Sequence, residues 1–238
     1  MKVVILAGGL GTRFGDMTRL VPKPMLQIGK FPILIHLINS FSRQGFEDFI
    51  ICTGYKHDYI NSFFKNNSIQ LSKNVFKYKN NNINLQFTGI KTNTGGRLHK
   101  IKKLINAETI ITYGDGLSDI DINKVVNFYK RINTLLTISI TNAVSRFGVV
   151  KVTQKGIVSQ FEEKGMLNEL INMGFMVAKP EFFNILDKNE VLEKNPMKKL
   201  LQKKQLSAYH HKGIFFPIDT QRDLKQINTI YNKGNKFW

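Results

Sequence analysis

The segment Gly8-Gly9-Leu10-Gly11-Thr12-Arg13 is built to hold a polyphosphate. Glycines let a backbone pass close to phosphate oxygens with its N–H groups turned inward, and Arg13 adds mobile positive charge. Lys23, inside Pro22-Lys23-Pro24-Met25, adds a second cation. Two carboxylates come from distant segments: Asp115, between Gly114 and Gly116, and Asp219, in Phe216-Pro217-Ile218-Asp219-Thr220. Such a pair suits Mg²⁺, with Mn²⁺ as a substitute, because the ion uses few protein oxygens and fills its shell with water and phosphate. Taken singly, Asp115 also reads as a turn residue and Asp219 as the N-cap of the last helix. Thr94-Gly95-Gly96-Arg97 is a second glycine-rich loop. It suits close approach to a base or phosphate, or an ordinary helix start. Glu163-Lys164 on its own reads as a surface ion pair.

Two familiar phosphate loops are excluded. A dinucleotide loop needs a third glycine where Phe14 stands, and an acid about twenty residues on. The chain has Lys30 in that region and no acid. A Walker loop needs Gly-Lys-Ser/Thr, which is absent. His210-His211 lacks a third ligand at metal spacing, so no zinc site is expected. No Ser-His-Asp or Cys-His arrangement is apparent. His36, within an apolar helical stretch, reads as structural.

The elements that must position these groups follow from hydrophobic periodicity. Val3 to Ala7 reads as a buried strand feeding the first loop. Helical spacing marks Pro32 to Gln44, Asp58 to Phe64, Arg97 to Ile105 and Ile122 to Arg131. Strands are expected at Phe49 to Cys52, Thr109 to Thr112 and Leu135 to Ile140. Strands alternating with helices predict an α/β fold: a doubly wound, mostly parallel, Rossmann-like sheet with helices on both faces. Ligands of such sheets bind beyond the carboxyl ends of the strands, where both the first loop and Asp115 fall. Past Phe147, short β segments at Gly148 to Val152, Ile157 to Phe161 and Phe175 to Ala178 predict a smaller antiparallel layer over the site. Pro180 to Leu186, Val191 to Lys203 and Thr220 to Tyr231 read as helices. The Asn- and Lys-rich stretch Asn66 to Asn84 reads as a flap or a short hairpin. The expected organisation is one domain over residues 1–238, with a nucleotide-binding core at 1–145 and an acceptor-binding part at 146–238.

Composition bounds the partners. The 238 residues are 42% hydrophobic and 22% charged, as in a globular protein with a sizeable core. The net charge of +18 raises nucleic acid as a partner. The lysines are scattered among asparagines, however, with no basic run interleaved with aromatics, so no nucleic-acid partner is expected. No stretch is apolar enough to span a bilayer, and the chain enters a strand at once. No membrane association, no signal peptide and a cytoplasmic location are the expectation. The lone cysteine, Cys52, sits in an apolar strand and reads as a buried thiol.

The ordered set Leu6-Ala7-Gly8-Gly9-Leu10-Gly11-Thr12-Arg13 and Pro22-Lys23-Pro24-Met25 resembles the sugar-phosphate nucleotidyltransferases. Thr94-Gly95-Gly96-Arg97, Tyr113-Gly114-Asp115-Gly116, Arg146-Phe147-Gly148, Glu163-Lys164 and Asp219-Thr220-Gln221-Arg222-Asp223 resemble the glucose-1-phosphate cytidylyltransferase branch. The resemblance spans nearly the whole chain. It implies transfer of CMP from CTP to an acceptor phosphate, with release of pyrophosphate. By the same resemblance, Leu6, Ala7, Gly8, Gly9, Gly11, Thr12, Arg13 and Gly114 hold the nucleotide, and Thr94, Gly95, Gly96 and Arg97 meet the cytosine side. Arg13, Lys23, Asp115 and Lys164 are the catalytic set, and Asp115 and Asp219 the metal ligands. Gly148, Glu163, Lys164, Asn172 and Met173 face the acceptor. Homo-oligomer formation is compatible with the resemblance, though no residue dictates it.

Two departures bear on the acceptor. Gly165 stands where the family has Pro after Glu-Lys, and Met173 stands in place of the first Gly of Asn-Gly-Gly-Phe. Met adds a flexible side chain where the sugar ring approaches the backbone. A sugar phosphate such as glucose 1-phosphate, or a non-sugar acceptor such as phosphoglutamine in capsule or polysaccharide biosynthesis, both follow from the pattern. A nucleotide-binding regulatory protein without turnover is the reading from another class.

Overall fold

The computed structural model describes residues 1–15, 17–145, 147–163 and 165–238. The chain opens with β1 (Lys2–Leu6), whose Val3, Val4 and Ile5 are fully buried on both faces. That is the signature of a central parallel strand. A short helix α1 (Met17–Leu20) and the small pair β2 (Gln27–Ile28) and β3 (Phe31–Pro32) lead into α2 (Ile33–Ser42), an almost wholly buried apolar helix. Then follow β4 (Asp48–Thr53), α3 (His57–Asn67), β5 (Ile69–Ser72), β6 (Val75–Tyr78) and β7 (Asn81–Phe87). The Asn- and Lys-rich stretch is therefore a hairpin, β5 on β6, extended through β6 on β7 to form one edge of the main sheet.

Next come α4 (Thr94–Ile101), β8 (Thr109–Tyr113), β9 (Gly116–Ser118), α5 (Ile122–Ile132) and β10 (Leu136–Val144). The Asp121 carboxylate caps the first turn of α5 and Asn133 closes it in a left-handed conformation. The second half contributes β11 (Gly148–Val152), β12 (Val158–Glu163), β13 (Met166–Ala178), α6 (Asn195–Gln202), β14 (Leu206–His210), β15 (Phe215–Pro217) and α7 (Gln221–Asn232).

The main sheet has nine strands in the order β14-β10-β13-β8-β1-β4-β7-β6-β5. All but β13 and β6 point the same way. Alternate residues of its strands feed two separate cores. Val3, Ile5, Phe49 and Ile51 pack under α2, α3, α5 and α7, whereas Val4, Ile50, Cys52 and Ile111 pack under α4 and α6. This is the doubly wound, mostly parallel sheet with helices on both faces. Three smaller antiparallel pairs among the described residues, β2 with β3, β11 with β12 and β9 with β15, complete it. Among the described residues no helix is long and apolar enough to cross a membrane.

Three boundaries differ from the sequence expectation for identifiable reasons. Phe175 to Ala178 does not join a separate layer; it lies within β13, which is inserted between β8 and β10 of the main sheet. The helix expected from Arg97 begins at Thr94 and tightens into a 3₁₀ turn at Lys102–Leu104. The helix expected over Val191 to Lys203 begins only at Asn195, because Pro196 takes the first turn, the one helical position that tolerates it. Residues 187–194 are thereby left as a loop, and that loop reaches the site.

Candidate active site

The glycine loop is held from below. The Ala7 N–H donates to Cys52 O at 2.9 Å and the Gly114 N–H to Leu6 O at 3.1 Å, which brings the ends of β1, β4 and β8 together. Gly11 adopts φ 67°, a left-handed conformation that glycine takes without strain, and opens a 3₁₀ turn at Thr12–Phe14. Phe14, standing where a dinucleotide loop has its third glycine, is only 1% exposed and anchors the turn in the core. The Thr18 hydroxyl donates to Gly11 O and Gly15 O, tying down the far side.

The charged centre is assembled by a strand pair. β15 runs antiparallel to β9 with Pro217 opposite Gly116, and the Ile218 N–H donates to Asp115 O at 2.9 Å. That pairing sets Asp219 beside Asp115. Lys23 Nζ lies 2.8 Å from Asp115 Oδ2 and 2.9 Å from Asp219 Oδ1. Arg13 Nη1 lies 3.1 Å from Asp219 Oδ2. Asp219 is not the N-cap of α7. Thr220 caps that helix in a reciprocal box with Asp223, which leaves the Asp219 carboxylate directed at the cations. The ammonium of Lys23 thus stands in for a cation between two carboxylates. A divalent ion fits such a donor set when phosphate and water complete its shell. Among the described residues no group of three or more His, Cys, Asp or Glu is placed to hold a metal by itself.

Arg97 lines the cleft, as expected of a nucleotide-side residue, but its guanidinium is bound to the protein. It is 4% exposed, and both terminal nitrogens are spent on the protein. Nη1 donates to Thr53 O at 3.1 Å, Thr88 Oγ1 at 2.7 Å and Gly89 O at 2.9 Å, and Nη2 to Gly8 O at 2.8 Å. Burial lowers its pKa from the ordinary guanidinium value. Arg97 therefore ties the glycine loop to the loop after β7. A side chain at Gly8 would collide with this guanidinium, so glycine there is a packing requirement.

Gly95 and Gly96 do not line the cleft. A Cβ on Gly95 would lie 2.9 Å from Glu190 O, and one on Gly96 would lie 2.7 Å from Lys188 O. The Gly96 N–H also donates to Glu190 O. These glycines let loop 187–194 lie against the start of α4, and the loop in turn supplies Val191 and Glu193 to the cleft wall. The Thr94 hydroxyl donates to Glu193 Oε2 at 3.0 Å and accepts from the Leu192 N–H at 2.9 Å. The Tyr113 hydroxyl donates to Glu193 Oε1. Burial, then the negative charges of Glu193 and Asp115, hold Tyr113 far above the ordinary phenol range and keep it a donor.

The resulting cleft has a volume of about 760 Å³ and runs from Arg13, Lys23, Asp115 and Asp219 to Ile90, Asn93, Thr94 and Glu193. Leu6, Ala7, Gly8, Gly9, Gly11, Thr12, Arg97 and Gly114 line it as well. Sequence reasoning missed Tyr113 and Glu193. Tyr113 sat in view beside Asp115, and Pro196 as a helix start would have exposed Glu193 as a loop residue.

The acceptor-side residues form another group. Gly148 and Glu163 face each other across β11 and β12, and the Asn172 carboxamide oxygen accepts from the Gly174 N–H at 2.9 Å. None of these lines the cleft. Lys164, and Arg146 of the Arg146-Phe147-Gly148 motif, lie outside the described residues. Met173 overturns the expectation placed on it: it is 3% exposed and packs in the core that contains Phe41 and Phe175. It lies on the same face of β13 as Phe175 and Val177, in the stretch where β13 bulges against β10 and Gly174 takes φ 79°.

A family model described as nucleotidyl transferase matches residues 2–233. The glucose-1-phosphate cytidylyltransferase of Salmonella typhi is 36% identical over 254 residues, covering 100% of this chain and 98% of that protein. The probable glucose-1-phosphate cytidylyltransferase of Bacillus subtilis (strain 168) is 34% identical over 252 residues, covering 100% and 99%. Among solved structures, HddC from Yersinia pseudotuberculosis has the same fold, with a TM-score of 0.74 at 24% identity, over 97% of this chain and 99% of that one. With sequence likeness running end to end through a cleft of this build, the chain belongs to the nucleotidyl transferase family, and it is a transferase.

Proposed function

We propose that this transferase moves CMP from CTP to the phosphate of a small acceptor, a sugar 1-phosphate, and releases pyrophosphate. The observation that carries this reading is the Lys23 ammonium held between Asp115 and Asp219 beside the glycine loop. An acceptor oxygen attacks the α-phosphorus, the bond to the bridging α–β oxygen breaks, and pyrophosphate leaves with the electron pair. The acceptor phosphate is already largely a dianion at neutral pH, so no general base is needed. The barrier is the meeting of two anions in line, and positioning with positive charge lowers it. The loop from Gly8 to Arg13 cradles the triphosphate, and Lys23 neutralises the α-phosphate and the leaving group. Asp115 and Asp219 would hold Mg²⁺ or Mn²⁺, which when bound shields charge on the phosphates. In this reading Gly148, Glu163, Lys164 and Asn172 serve the acceptor.

A sugar phosphate is favoured over phosphoglutamine because the relatives of similar length are sugar-phosphate enzymes by name. Met173, the main reason to look elsewhere, is packed in the core. The test is a screen of acceptor phosphates with CTP, with UTP, dTTP and ATP as controls, reading pyrophosphate. Release that requires CTP, a sugar 1-phosphate and Mg²⁺ together is expected. Nucleotide binding with no release under any acceptor would support a regulatory protein instead.

A further inference from the structure

On the wall of the cleft farthest from the phosphate cations, the exposed Lys91 can only donate, and other polar side chains are committed to the protein. The Arg97 nitrogens are committed to carbonyls and to Thr88. The Asn93 carboxamide nitrogen donates to Asn189 O, and the Thr92 hydroxyl donates to Thr88 O. Glu193 differs. Its carboxylate is exposed to the cleft, each oxygen accepts one hydrogen bond from a neutral hydroxyl, and no ion pair of Glu193 is found among the described residues. A carboxylate oxygen has room for about two hydrogen bonds, so each retains one acceptor position. Tyr113 and Thr94 grip both oxygens, which fixes the rotamer and aims the free lone pairs.

We infer that Glu193 is a specificity-determining residue that accepts a hydrogen bond from the exocyclic amine of cytosine. The inference rests on the CTP reading above. A nucleoside triphosphate with its phosphates at Lys23, Asp115 and Asp219 extends its base along the cleft toward residues 90–94 and 191–193. There a carboxylate matches the N4 amine, which only donates. Uracil and thymine put a carbonyl oxygen at the same place, and the carboxylate repels it. Discrimination then comes from an unfavourable contact with the wrong base as much as from a favourable one with the right base.

The test is Glu193→Gln, with kcat/KM measured for CTP and for UTP using the same sugar 1-phosphate and Mg²⁺. The amide preserves size, still accepts from one hydroxyl, and adds an N–H₂ that can donate to the uracil O4. The CTP-to-UTP preference of the variant should fall by about ten- to a hundredfold. Calorimetric binding of CMP and UMP, with no acceptor present, should show the same loss of preference. If both nucleotides lose efficiency by the same factor, Glu193 only braces loop 187–194 and the inference is overturned. If the unaltered enzyme shows no preference for CTP over UTP, the parent reading fails, and that result appears before any variant is made.

Discussion

Arg97→Met should be among the most damaging single changes available outside the core, and its cost can be worked from the contacts. The substitution keeps an unbranched apolar stem and removes the fork that joins three loops. Not every acceptor is orphaned. Thr53 O keeps the Thr88 N–H at 2.9 Å and the Thr88 hydroxyl at 2.7 Å, and Gly8 O keeps the Tyr55 N–H at 3.2 Å. Gly89 O loses its 2.9 Å donor. One carbonyl left without its bond costs about 1–3 kcal/mol, and hydrogen bonds to a charged donor contribute about 1.5–3 kcal/mol each before the relief of no longer burying a guanidinium. A net loss of about 3 kcal/mol follows, or a fall in Tm of roughly 6–12 °C for a chain of this size. Arg97→Lys should recover no more than half, because one ammonium cannot fork between Gly8 and Gly89. Urea unfolding measures this, with a lower midpoint and an unchanged slope. Nucleotide affinity of the folded variant should also fall, by about tenfold, as the glycine loop loses the guanidinium that holds Gly8. A variant within about 0.5 kcal/mol of the parent, or an Arg97→Lys form indistinguishable from it, would refute the role assigned to the fork.

Three further substitutions probe the charged centre and the buried thiol. Lys23→Met and Asp115→Asn should each cut pyrophosphate release by at least about a hundredfold while circular dichroism shows an intact fold. Paramagnetic resonance of Mn²⁺ should show the free Lys23→Met protein binding the ion more tightly than the parent, since the competing ammonium is gone; equal binding would mean that the ammonium does not compete. Burial pushes the Cys52 thiol from an ordinary 9.0 up to about 12. The unfolded chain therefore releases this proton first, and stability falls between about pH 9 and pH 12 by at most about 1.4 kcal/mol per unit. Urea midpoints of Cys52→Ala should fall less steeply over that range, and identical slopes for the two proteins would count against the assignment.

What could be read without coordinates was what local chemistry imposes. The run Val3 to Ala7 followed by glycines announces a buried strand and a phosphate loop, because few other uses suit that order of residues. Helices on both faces follow from strand–helix alternation, and the two cores under β1 follow from the strand's continuous apolar run. Lys23, Asp115 and Asp219 were visible as candidate partners by type alone. The alternative reading of Asp219 as the N-cap of the last helix failed because Thr220 and Asp223 perform that role together, a choice set by helix geometry one residue further on.

What only the tertiary structure decided depends on contacts between distant segments. Pairing of β15 with β9 brings Asp219 to Asp115, and no local pattern encodes that register. Arg97 and Gly95-Gly96 looked like ligand groups because arginine and glycine serve phosphates and backbone packing equally well; the neighbours at Gly8, Gly89, Lys188 and Glu190 chose packing. Met173 changed from a pocket residue to a core residue because β13 enters the main sheet and turns it toward Phe41 and Phe175. Glu193 became part of the site because Pro196 delays a helix and frees the loop before it. Residue type limits what a side chain can do, and the long-range packing of the fold selects which of those uses it performs.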